Sequence, residues 1–406
     1  MVRLFILTIF AFASCDSIRA QTFWSVHSAT GEPQAGTLES LGDGFAVKLK
    51  QPPANIAAGE LISLRQINLA RPSRPNAPQL ILANGDCWAG TLAASRGLAI
   101  DWNWQSDERS AIKIAAPLPS VRAIWFAKPP NPDDDPANYD WVDATKKQDT
   151  IKLRNGDVLK GTLESFAEDG KSLRFRVTGD AAAKPLEASN IAAIVFDASL
   201  TRMKTPKTAY AKLVVRNGSR LSLAKASCDG KNFQTTLTTG GEIAIPISEV
   251  VSLDIVQGKA IYLSDLAPKA AVVEPFSAVT WNWRSDRNVK GMPLRILTAN
   301  GEETFDRGLG THPKTTLTYE LAGKYRYFEA AVGLDARTGK KGQADVRVLV
   351  DGVEQSPPEL KNLKYGRAMA VRLSLAKVKE LKLIVDFGTG GDVQDDVNWG
   401  DARLIE

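Results

Sequence analysis

Apolar residues alternate with polar ones through the last third of the chain. Five sets have apolar side chains two positions apart: Leu317, Tyr319 and Leu321; Phe328, Ala330 and Val332; Val346, Val348 and Val350; Val371, Leu373 and Leu375; and Leu381, Leu383 and Val385. A period of two places such side chains on one face of a β-strand. Two sheets that each have one apolar face can bury those faces against each other. Residues 258–406 are therefore predicted to form a β-sandwich.

A different, degenerate repeat runs through residues 22–256. Each copy has a β-rich segment followed by a short polar turn with a central glycine: Thr30-Gly31-Glu32, Asn84-Gly85-Asp86, Asn155-Gly156-Asp157 and Asn217-Gly218-Ser219. Asn-Gly between β-rich segments predicts a hairpin with a tight primed turn, because both residues tolerate a positive φ. Three copies also end alike, on a proline followed by apolar residues three positions apart, at Pro117, Pro185 and Pro246. The shared features predict four copies.

Each copy is long enough for about five short strands. Short antiparallel strands avoid open edges by closing into a small barrel of the SH3-like or Sm-like kind. A solenoid is the alternative for a repetitive chain, but the distances between the turn glycines vary too much for strict stacking. The predicted organisation is two repeats in residues 22–127, a Pro- and Asp-rich solvated linker at 128–149, a third repeat at 150–200 and a fourth at 208–257. The predicted fold class is thus all-β, with tandem barrel repeats followed by a sandwich.

Composition narrows the functional class. Hydrophobic residues make up 44% and charged residues 24% of the 406 residues, as in a soluble globular protein. The net charge is +5, and the sequence has no run of five Lys or Arg residues, so no nucleic-acid partner is predicted.

The sequence contains only two histidines, His27 and His312, and no nucleophile-elbow, phosphate-binding or dinucleotide-binding motif. Asp335 with Asp396 could in principle form a glycosidase pair. With no catalytic domain recognised, the protein is predicted not to be an enzyme.

The N-terminus has the features of a secretory signal peptide. Arg3 precedes an apolar run at residues 4–13, and small residues follow up to position 20. These features predict removal of residues 1–20 and a secreted, periplasmic or cell-surface location. The string Phe-Ala-Ser-Cys that ends at Cys15 offers an alternative, in which a lipidated Cys15 anchors the protein to a membrane.

Cys87 and Cys228 lie in different repeats. They could pair in an oxidising compartment, and two separate buried thiols are the alternative. A fold held together by several disulfides is excluded, because the whole sequence has three cysteines.

Two nearly identical tryptophan strings stand out, Trp102-Asn103-Trp104-Gln105-Ser106-Asp107 and Trp281-Asn282-Trp283-Arg284-Ser285-Asp286. Exposed aromatic rings can stack on sugars. In a strand, however, the two tryptophans of a string point to the same face, so we favour burial of Trp102 and Trp104 against the barrel core.

A further series of motifs occurs in order between residues 258 and 406: Tyr262-Leu263-Ser264-Asp265-Leu266, Asp286-Arg287-Asn288-Val289, Arg307-Gly308-Leu309-Gly310-Thr311-His312, Val332-Gly333-Leu334-Asp335, Val350-Asp351-Gly352 and Asn398-Trp399-Gly400-Asp401-Ala402-Arg403-Leu404. Together they resemble the NPCBM family, a proposed carbohydrate-binding module associated with glycoside hydrolase family 98. The resemblance implies a jelly-roll β-sandwich of the galactose-binding type with a role in binding glycans. It does not extend to the first 256 residues.

The resemblance also implies candidate carbohydrate-binding residues. His312 falls on the family's Gly-x-His position, and Trp399 and Asp401 fall on its Trp-x-Asp position. The full candidate set consists of polar and aromatic residues within the motifs: His312, Asp335, Asn398, Trp399 and Asp401. Two departures from the family pattern occur, namely Pro313 in place of a small polar residue, and Asp395-Asp396-Val397-Asn398 where the family more often has an aspartate-histidine pair.

These candidates have structural alternatives. His312 could hydrogen-bond a sugar hydroxyl or lock the Gly-rich turn to a neighbouring loop. Trp399 could stack on a sugar or fill the end of the sandwich. Asp392, Asp395 and Asp396 could hold Ca²⁺ or form an ordinary acidic surface loop. Apart from this calcium option, no cofactor is predicted.

The sequence therefore predicts an exported, non-catalytic protein whose C-terminal module binds a glycan or polysaccharide. The alternative is an envelope or surface assembly protein, in which the β units contact other proteins and sugar binding is lost. An Sm-like RNA-binding protein conflicts with the signal peptide.

Overall fold

The computed structural model describes residues 22–406, except 107–110, 144, 277–278 and 392. The described chain is built from antiparallel β-strands, and this confirms the predicted all-β class, with barrel repeats followed by a sandwich. Helical segments are short 3-10 turns at Asp43–Phe45, Leu118–Ser120, Pro136–Asn138, Ala188–Asn190, Ile247–Glu249, Leu263–Asp265 and Pro358–Leu360. In the described part of the chain, no helix is long and apolar enough to span a membrane.

The N-terminal region contains four units of five strands each. Repeat 1 has β1 (Phe23–Ser28), β2 (Gln34–Leu41), β3 (Val47–Leu49), β4 (Ala54–Ile56) and β5 (Leu61–Gln66). Repeat 2 has β6 (Gln79–Leu82), β7 (Cys87–Arg96), β8 (Ala99–Gln105), β9 (Ala111–Pro117) and β10 (Val121–Trp125). Repeat 3 has β11 (Asp149–Leu153), β12 (Val158–Phe166), β13 (Ser172–Val177), β14 (Lys184–Glu187) and β15 (Ile191–Val195). Repeat 4 has β16 (Tyr210–Val215), β17 (Arg220–Cys228), β18 (Asn232–Leu237), β19 (Glu242–Pro246) and β20 (Val250–Val256).

Each repeat pairs its first strand with both its second and its fifth strand. The fifth strands then join the repeats in pairs, because β5 pairs with β20 and β10 pairs with β15. Repeat 1 therefore adjoins repeat 4, and repeat 2 adjoins repeat 3. This pairing covers edges that single barrels would leave open.

The hairpin turns of the repeats differ from the predicted tight primed turns. Between β6 and β7, the Leu82 N–H donates to the Asp86 carbonyl at 2.9 Å, which leaves a wider loop. Gly85 has a φ of 84°, whereas Asn84 is not among the residues with positive φ. The Asn84 side-chain oxygen instead accepts from the Asp86 N–H at 3.0 Å. The prediction of a primed turn was wrong because the asparagine side chain caps a longer loop.

Tryptophans fill the core of the repeats. Trp24, Trp88, Trp102 and Trp104 are all fully buried. The Trp104 indole N–H donates to the Ser219 hydroxyl at 3.1 Å, so this ring also ties repeat 2 to repeat 4. The interpretation of Trp102 and Trp104 as core residues agrees with the structure.

Cys87 and Cys228 are separate buried thiols and form no disulfide. Of the two alternatives for these cysteines, the structure therefore has the unpaired one.

The segment at residues 128–149, predicted to be a solvated linker, packs against the C-terminal region. It contains Asp133, which is buried and forms an ion pair with Arg295 at 2.6 Å. The linker is therefore held against the C-terminal region, because the Asp133 carboxylate meets a guanidinium there.

The C-terminal region is a sandwich of two main sheets. Its strands are β21 (Ala260–Tyr262), β22 (Ala270–Val273), β23 (Arg284–Ser285), β24 (Leu294–Thr298), β25 (Gly301–Phe305), β26 (Gly308–Thr311), β27 (Thr315–Glu320), β28 (Tyr327–Leu334), β29 (Gln343–Val350), β30 (Val353–Glu354), β31 (Leu363–Lys364), β32 (Met369–Ser374), β33 (Glu380–Phe387) and β34 (Val397–Ile405). One sheet has the order β23-β26-β34-β28-β32, and the other has the order β22-β27-β33-β29-β30. The alternating apolar residues from both sheets form the core between them.

Several connections of the sandwich meet at one end. The pairs Thr311 with Val397 and Leu334 with Val397 bring the ends of three strands together there. We call this region the loop end and define it as residues 274–276, 279–290, 312–314, 335–342, 388–391 and 393–396. The polar candidates of the closing motif begin at this end and continue along β34.

Candidate functional site

Four side chains of different chemistry lie together at the loop end. The ring centroids of Trp281 and His312 are 6.2 Å apart. The Lys290 ammonium lies 5.8 Å from the Trp281 ring centroid and 2.9 Å from an oxygen of Asp396. His312 Nε2 lies 3.8 Å from the other oxygen of Asp396. We call Trp281, Lys290, His312 and Asp396 the loop-end cluster.

The two faces of the cluster differ in exposure. Trp281 is 36% exposed and Lys290 is also open to solvent, whereas His312 and Asp396 are almost buried. The His312 Nδ1 lies 2.8 Å from the Pro313 carbonyl oxygen, so this nitrogen donates its proton there. The imidazole is thereby held in one orientation beside the exposed tryptophan. His312 is thus both a lock on its own turn and a neighbour of an accessible aromatic ring.

Buried amides and a carboxylate fix the turn that carries Lys290. The Asn288 side-chain oxygen accepts from the backbone N–H groups of Lys290 and Met292 at 3.0 and 2.8 Å. The Asn288 amide donates to Asp335 at 3.0 Å, and the Asn398 amide donates to the same Asp335 oxygen at 2.7 Å. Asp335 and Asn398 are both fully buried. They support the cluster from beneath and do not reach the surface.

Trp399 is a core residue. Its side chain is fully buried between the two sheets, and its indole N–H donates to the Thr311 hydroxyl at 3.1 Å. A ring with no exposed face cannot stack on a sugar, so the stacking hypothesis for Trp399 is wrong. The alternative prediction, that Trp399 fills the sandwich, agrees with the structure. The reason is that position 399 lies on the inward face of β34, opposite Leu309.

Asp401 lies away from the loop end, at the junction between the sandwich and repeat 1. One of its oxygens accepts from Arg65 at 2.7 Å and from Arg71 at 2.6 Å. Burial by itself would raise the pKa of Asp401, but the charges of Arg71 and Arg65 outweigh it and hold the pKa well below its usual range. Since both partners come from the N-terminal repeats, Asp401 joins two parts of the chain and is not a free ligand for sugar.

A second ion-pair group strengthens the same junction. Glu329 accepts from Arg403 at 2.8 Å and lies 3.2 Å from His27 Nδ1 of repeat 1, and it also pairs with Arg372. Burial would raise the pKa of Glu329, yet the hydrogen bond from His27 and the charge of Arg403 hold the pKa well below its usual range. Glu329 and Asp401 are therefore ionised in the folded protein at neutral pH.

The acidic candidates for calcium are engaged in other contacts. Asp395 accepts from the Gln343 N–H at 2.7 Å, and Asp396 forms the ion pair with Lys290. Asp392 lies outside the described residues. Among the residues that are described, no group of three His, Cys, Asp or Glu side chains is arranged to hold a metal ion.

Sequence reasoning missed two members of the loop-end cluster, Trp281 and Lys290. The string containing Trp281 copies the buried string at Trp102, and this likeness concealed their different environments. The available signal was the surrounding sequence, since Pro275 and the lack of apolar alternation near Trp281 are typical of a loop. Lys290 carries no comparable signal.

Comparison with known families agrees with this sandwich. Residues 259–405 match the NPCBM/NEW2 domain. The resemblance seen in the sequence motifs is therefore confirmed for the C-terminal region. The matched range begins at the N-terminal end of the sandwich and takes in all four members of the loop-end cluster. The NPCBM/NEW2 match does not cover the repeats.

A curated relative also aligns with part of the chain. It is a predicted endo-alpha-N-acetylgalactosaminidase of Renibacterium salmoninarum, 29% identical over 116 residues. The alignment covers 28% of this chain and 7% of the relative. The chain thus corresponds to a small part of that relative's length.

Solved structures of carbohydrate-binding modules are similar as well. A CBM51 module from a Clostridium perfringens GH95 protein, in complex with methyl-galactose, is 28% identical, with a TM-score of 0.32, and the match covers 36% of this chain and 99% of the module. Tandem CBM51 modules of a family 98 glycoside hydrolase from Streptococcus pneumoniae are 14% identical, with a TM-score of 0.33, over 82% of this chain and 92% of theirs.

Proposed function

We propose that this protein is an exported, non-catalytic glycan-binding protein, and that the glycan binds at the loop-end cluster of its NPCBM/NEW2 region. The observation that carries the proposal is the exposed Trp281 ring beside His312, Lys290 and Asp396. An aromatic face suits the C–H face of a sugar ring, and the polar neighbours supply donors and acceptors for its hydroxyls. The family match supports this class of ligand.

The cluster has hydrogen-bonding capacity left for a ligand. The Lys290 ammonium carries three N–H donors and lies 2.9 Å from an Asp396 oxygen in an ion pair. Because the Lys290 side chain is half-exposed, its ammonium remains accessible to a ligand. With one stacking contact and a few hydrogen bonds, we expect a dissociation constant on the order of micromolar to millimolar.

Replacing Trp281 with alanine is expected to weaken glycan binding about tenfold, because the stacking face is lost. A glycan array with the full chain identifies a ligand, and calorimetry with that ligand measures the effect. Phe23→Ala is the matched control, since Phe23 is an exposed aromatic residue in β1 of repeat 1 and is not a member of the cluster. Equal affinity in the wild type and Trp281→Ala would contradict the proposed site.

Export is a separate part of the proposal, and the signal-peptide features of residues 1–20 support it. Expression of the full chain in a bacterium is expected to give a processed protein that begins near Gln21. N-terminal sequencing and mass spectrometry of the processed chain test this. A product that begins at a lipid-bearing Cys15 would indicate anchoring, and an unprocessed N-terminus in the cytoplasm would contradict export.

A second candidate function, surface assembly through protein contacts, is favoured by one observation. Trp399 and Asp401 fall on the family's motif positions, yet both are committed to internal contacts. Exposed apolar residues Phe276 and Val393, also at the loop end, could contact another protein instead of a sugar. Absence of binding to every glycan on the array would favour this function.

A further inference from the structure

Strand β22 forms an open, apolar edge of the sandwich. It is the first strand in the order β22-β27-β33-β29-β30, so it pairs with β27 on one side only. Ala270, Ala271 and Val272 are exposed, and Val272 shows 49% of its surface. None of the four strand residues is charged, and none is a proline. Because charges, prolines or a covering segment usually protect such an edge, its absence of protection indicates a docking surface.

Other edge strands of the protein are protected. In repeat 3, β14 pairs only with β13, and it contains Lys184, Pro185 and Glu187. The edge strand of the other sandwich sheet, β32, contacts repeat 1, because Arg372 donates to the Gly31 carbonyl at 2.6 Å. The open edge at β22 is therefore a local property of this strand.

The hydrogen-bond pattern of β22 directs the backbone groups of two residues outward. Glu274 exchanges two backbone hydrogen bonds with Lys314, since its N–H donates at 3.0 Å and its carbonyl accepts at 3.4 Å. In an antiparallel pair, hydrogen-bonded and non-hydrogen-bonded positions alternate. Ala271 and Val273 lie one and three positions before Glu274, so their N–H and C=O groups point away from β27. In the described part of the chain, no other strand pairs with this side of β22.

This edge is complementary to itself. When two copies of β22 pair antiparallel about a two-fold axis at Val272, Ala271 of each copy lies opposite Val273 of the other copy. Every outward N–H group of the two strands then meets an outward carbonyl, or lies beside one that is already paired. Val272 faces its own counterpart at a non-hydrogen-bonded position, where side chains of two strands are closest. A second copy of the chain therefore fits both the polar and the apolar groups of the edge.

The two ends of the strand carry opposite charges. Lys269 precedes β22 and Glu274 follows it, and both residues are exposed without an ion-pair partner among the described residues. Antiparallel pairing places the Lys269 end of each copy beside the Glu274 end of the other, within the distance of about 10 Å over which exposed charges interact. Charge complementarity thus favours a second copy in the antiparallel orientation.

An aromatic residue extends the apolar edge. Phe276 is 63% exposed, and its ring packs edge-on against Phe387 with the ring centroids 5.1 Å apart. A strand of four residues with one flanking ring buries less area than a standard protein interface. We therefore expect a reversible dimer with a dissociation constant on the order of tens of micromolar.

We propose that β22 is a self-association surface, through which two copies of this chain join into one continuous antiparallel sheet. Because the two β22 strands run in opposite directions, the loop ends of the two copies lie at opposite ends of the joined sheet. A dimer with one glycan site at each end would link two glycan chains, and this consequence rests on the proposed function. Dimer formation itself needs no glycan.

Sedimentation equilibrium of the full chain, from about 1 μM to about 1 mM, tests the proposal without a ligand. Val272→Lys places two like charges opposite each other at the axis, so this variant is expected to remain monomeric over that range. Val353→Lys is the matched control, because Val353 is 60% exposed in β30 at the opposite edge of the same sheet. It should dimerise as the wild type does. Thermal unfolding of both variants should match that of the wild type, since both side chains lie at the surface.

A proline tests the outward backbone groups. Ala271→Pro removes an N–H that points away from β27, and proline is tolerated in an edge strand when its nitrogen faces solvent. The dissociation constant of the dimer is expected to rise about tenfold, because each copy loses one hydrogen bond to the other. Thermal stability of the monomer should stay near that of the wild type.

A charge exchange tests the antiparallel orientation. Lys269→Glu is expected to weaken the dimer about threefold, because it places like charges beside each other at both ends of the paired strands. Adding Glu274→Lys restores opposite charges, so the double variant should dimerise nearly as well as the wild type.

The outcomes separate this inference from the proposed glycan site. A wild-type chain that stays monomeric up to about 1 mM would overturn self-association and leave the edge to a different protein. A dimer that persists in Val272→Lys, or a double charge variant that does not recover, would also overturn the inference. Trp281→Ala should dimerise as the wild type does, so a failure of glycan binding does not affect this test.

Discussion

Replacing Asp401 with asparagine is expected to lower the free energy of unfolding of the full chain by about 3 kcal/mol. The substitution keeps the size of the side chain but removes a buried charge that holds Arg65 and Arg71. Asp401 has a φ of 48°, and asparagine tolerates that conformation as well as aspartate does. The decrease in the free energy of unfolding therefore measures the effect of the lost charge and not of backbone strain. Urea denaturation followed by circular dichroism measures it.

The control for Asp401→Asn is the same change in an exposed ion pair. Asp180 pairs with Lys184 at 2.8 Å on the surface of repeat 3. Asp180→Asn is expected to change stability by less than about 0.5 kcal/mol, because water screens exposed pairs. If the two substitutions had equal effects, Asp401 would not be the energetic link between the repeats and the sandwich.

Replacing Trp399 with alanine is expected to cost about 3–5 kcal/mol of stability, because it leaves a cavity in the sandwich core and removes the indole hydrogen bond to the Thr311 hydroxyl. Thermal and urea denaturation of the full chain measure this loss. At conditions where the variant remains folded, its glycan affinity should stay near that of the wild type. The physical reason is that Trp399 supports the sandwich but does not touch a ligand.

Trp281→Ala is compared with Trp399→Ala, because it is expected to weaken glycan binding and leave stability almost unchanged. Because Trp281 lies at the surface, its loss is expected to change stability by less than about 0.5 kcal/mol while glycan binding falls. A stable Trp399→Ala variant that had lost binding would contradict the assignment of roles. A strongly destabilised Trp281→Ala variant would also contradict the assignment of roles to Trp281 and Trp399.

These two predictions show why the family motif is an incomplete guide to the site. Of the motif candidates, His312 lies at the accessible cluster, and Asp335 and Asn398 lie beneath it. Trp399 and Asp401 serve the core and the domain junction. A motif preserves residues that build a sandwich as well as residues that contact its ligand, and sequence position does not separate the two.

The repeats illustrate the reach and the limit of local patterns. β-Rich segments followed by glycine-centred turns identified the hairpins, because strand propensity and positive φ are local properties. The pairing of β5 with β20 and of β10 with β15 was not foreseen. Strand pairing between repeats depends on how the barrels are arranged around one another. No short segment of sequence encodes that arrangement.

The all-β class, the strand pattern and the family of the C-terminal sandwich can all be predicted from the amino-acid sequence, since each depends on periodicity or on ordered motifs along the chain. Which side chains are accessible becomes known only from the folded structure. The nearly identical strings at Trp102 and Trp281 show this, because one is buried in β8 and the other begins with an exposed ring beside His312. Likewise, the partners of Asp401 are arginines more than 300 positions away. Burial and ion pairing depend on what packs against a residue, and long-range packing determines that.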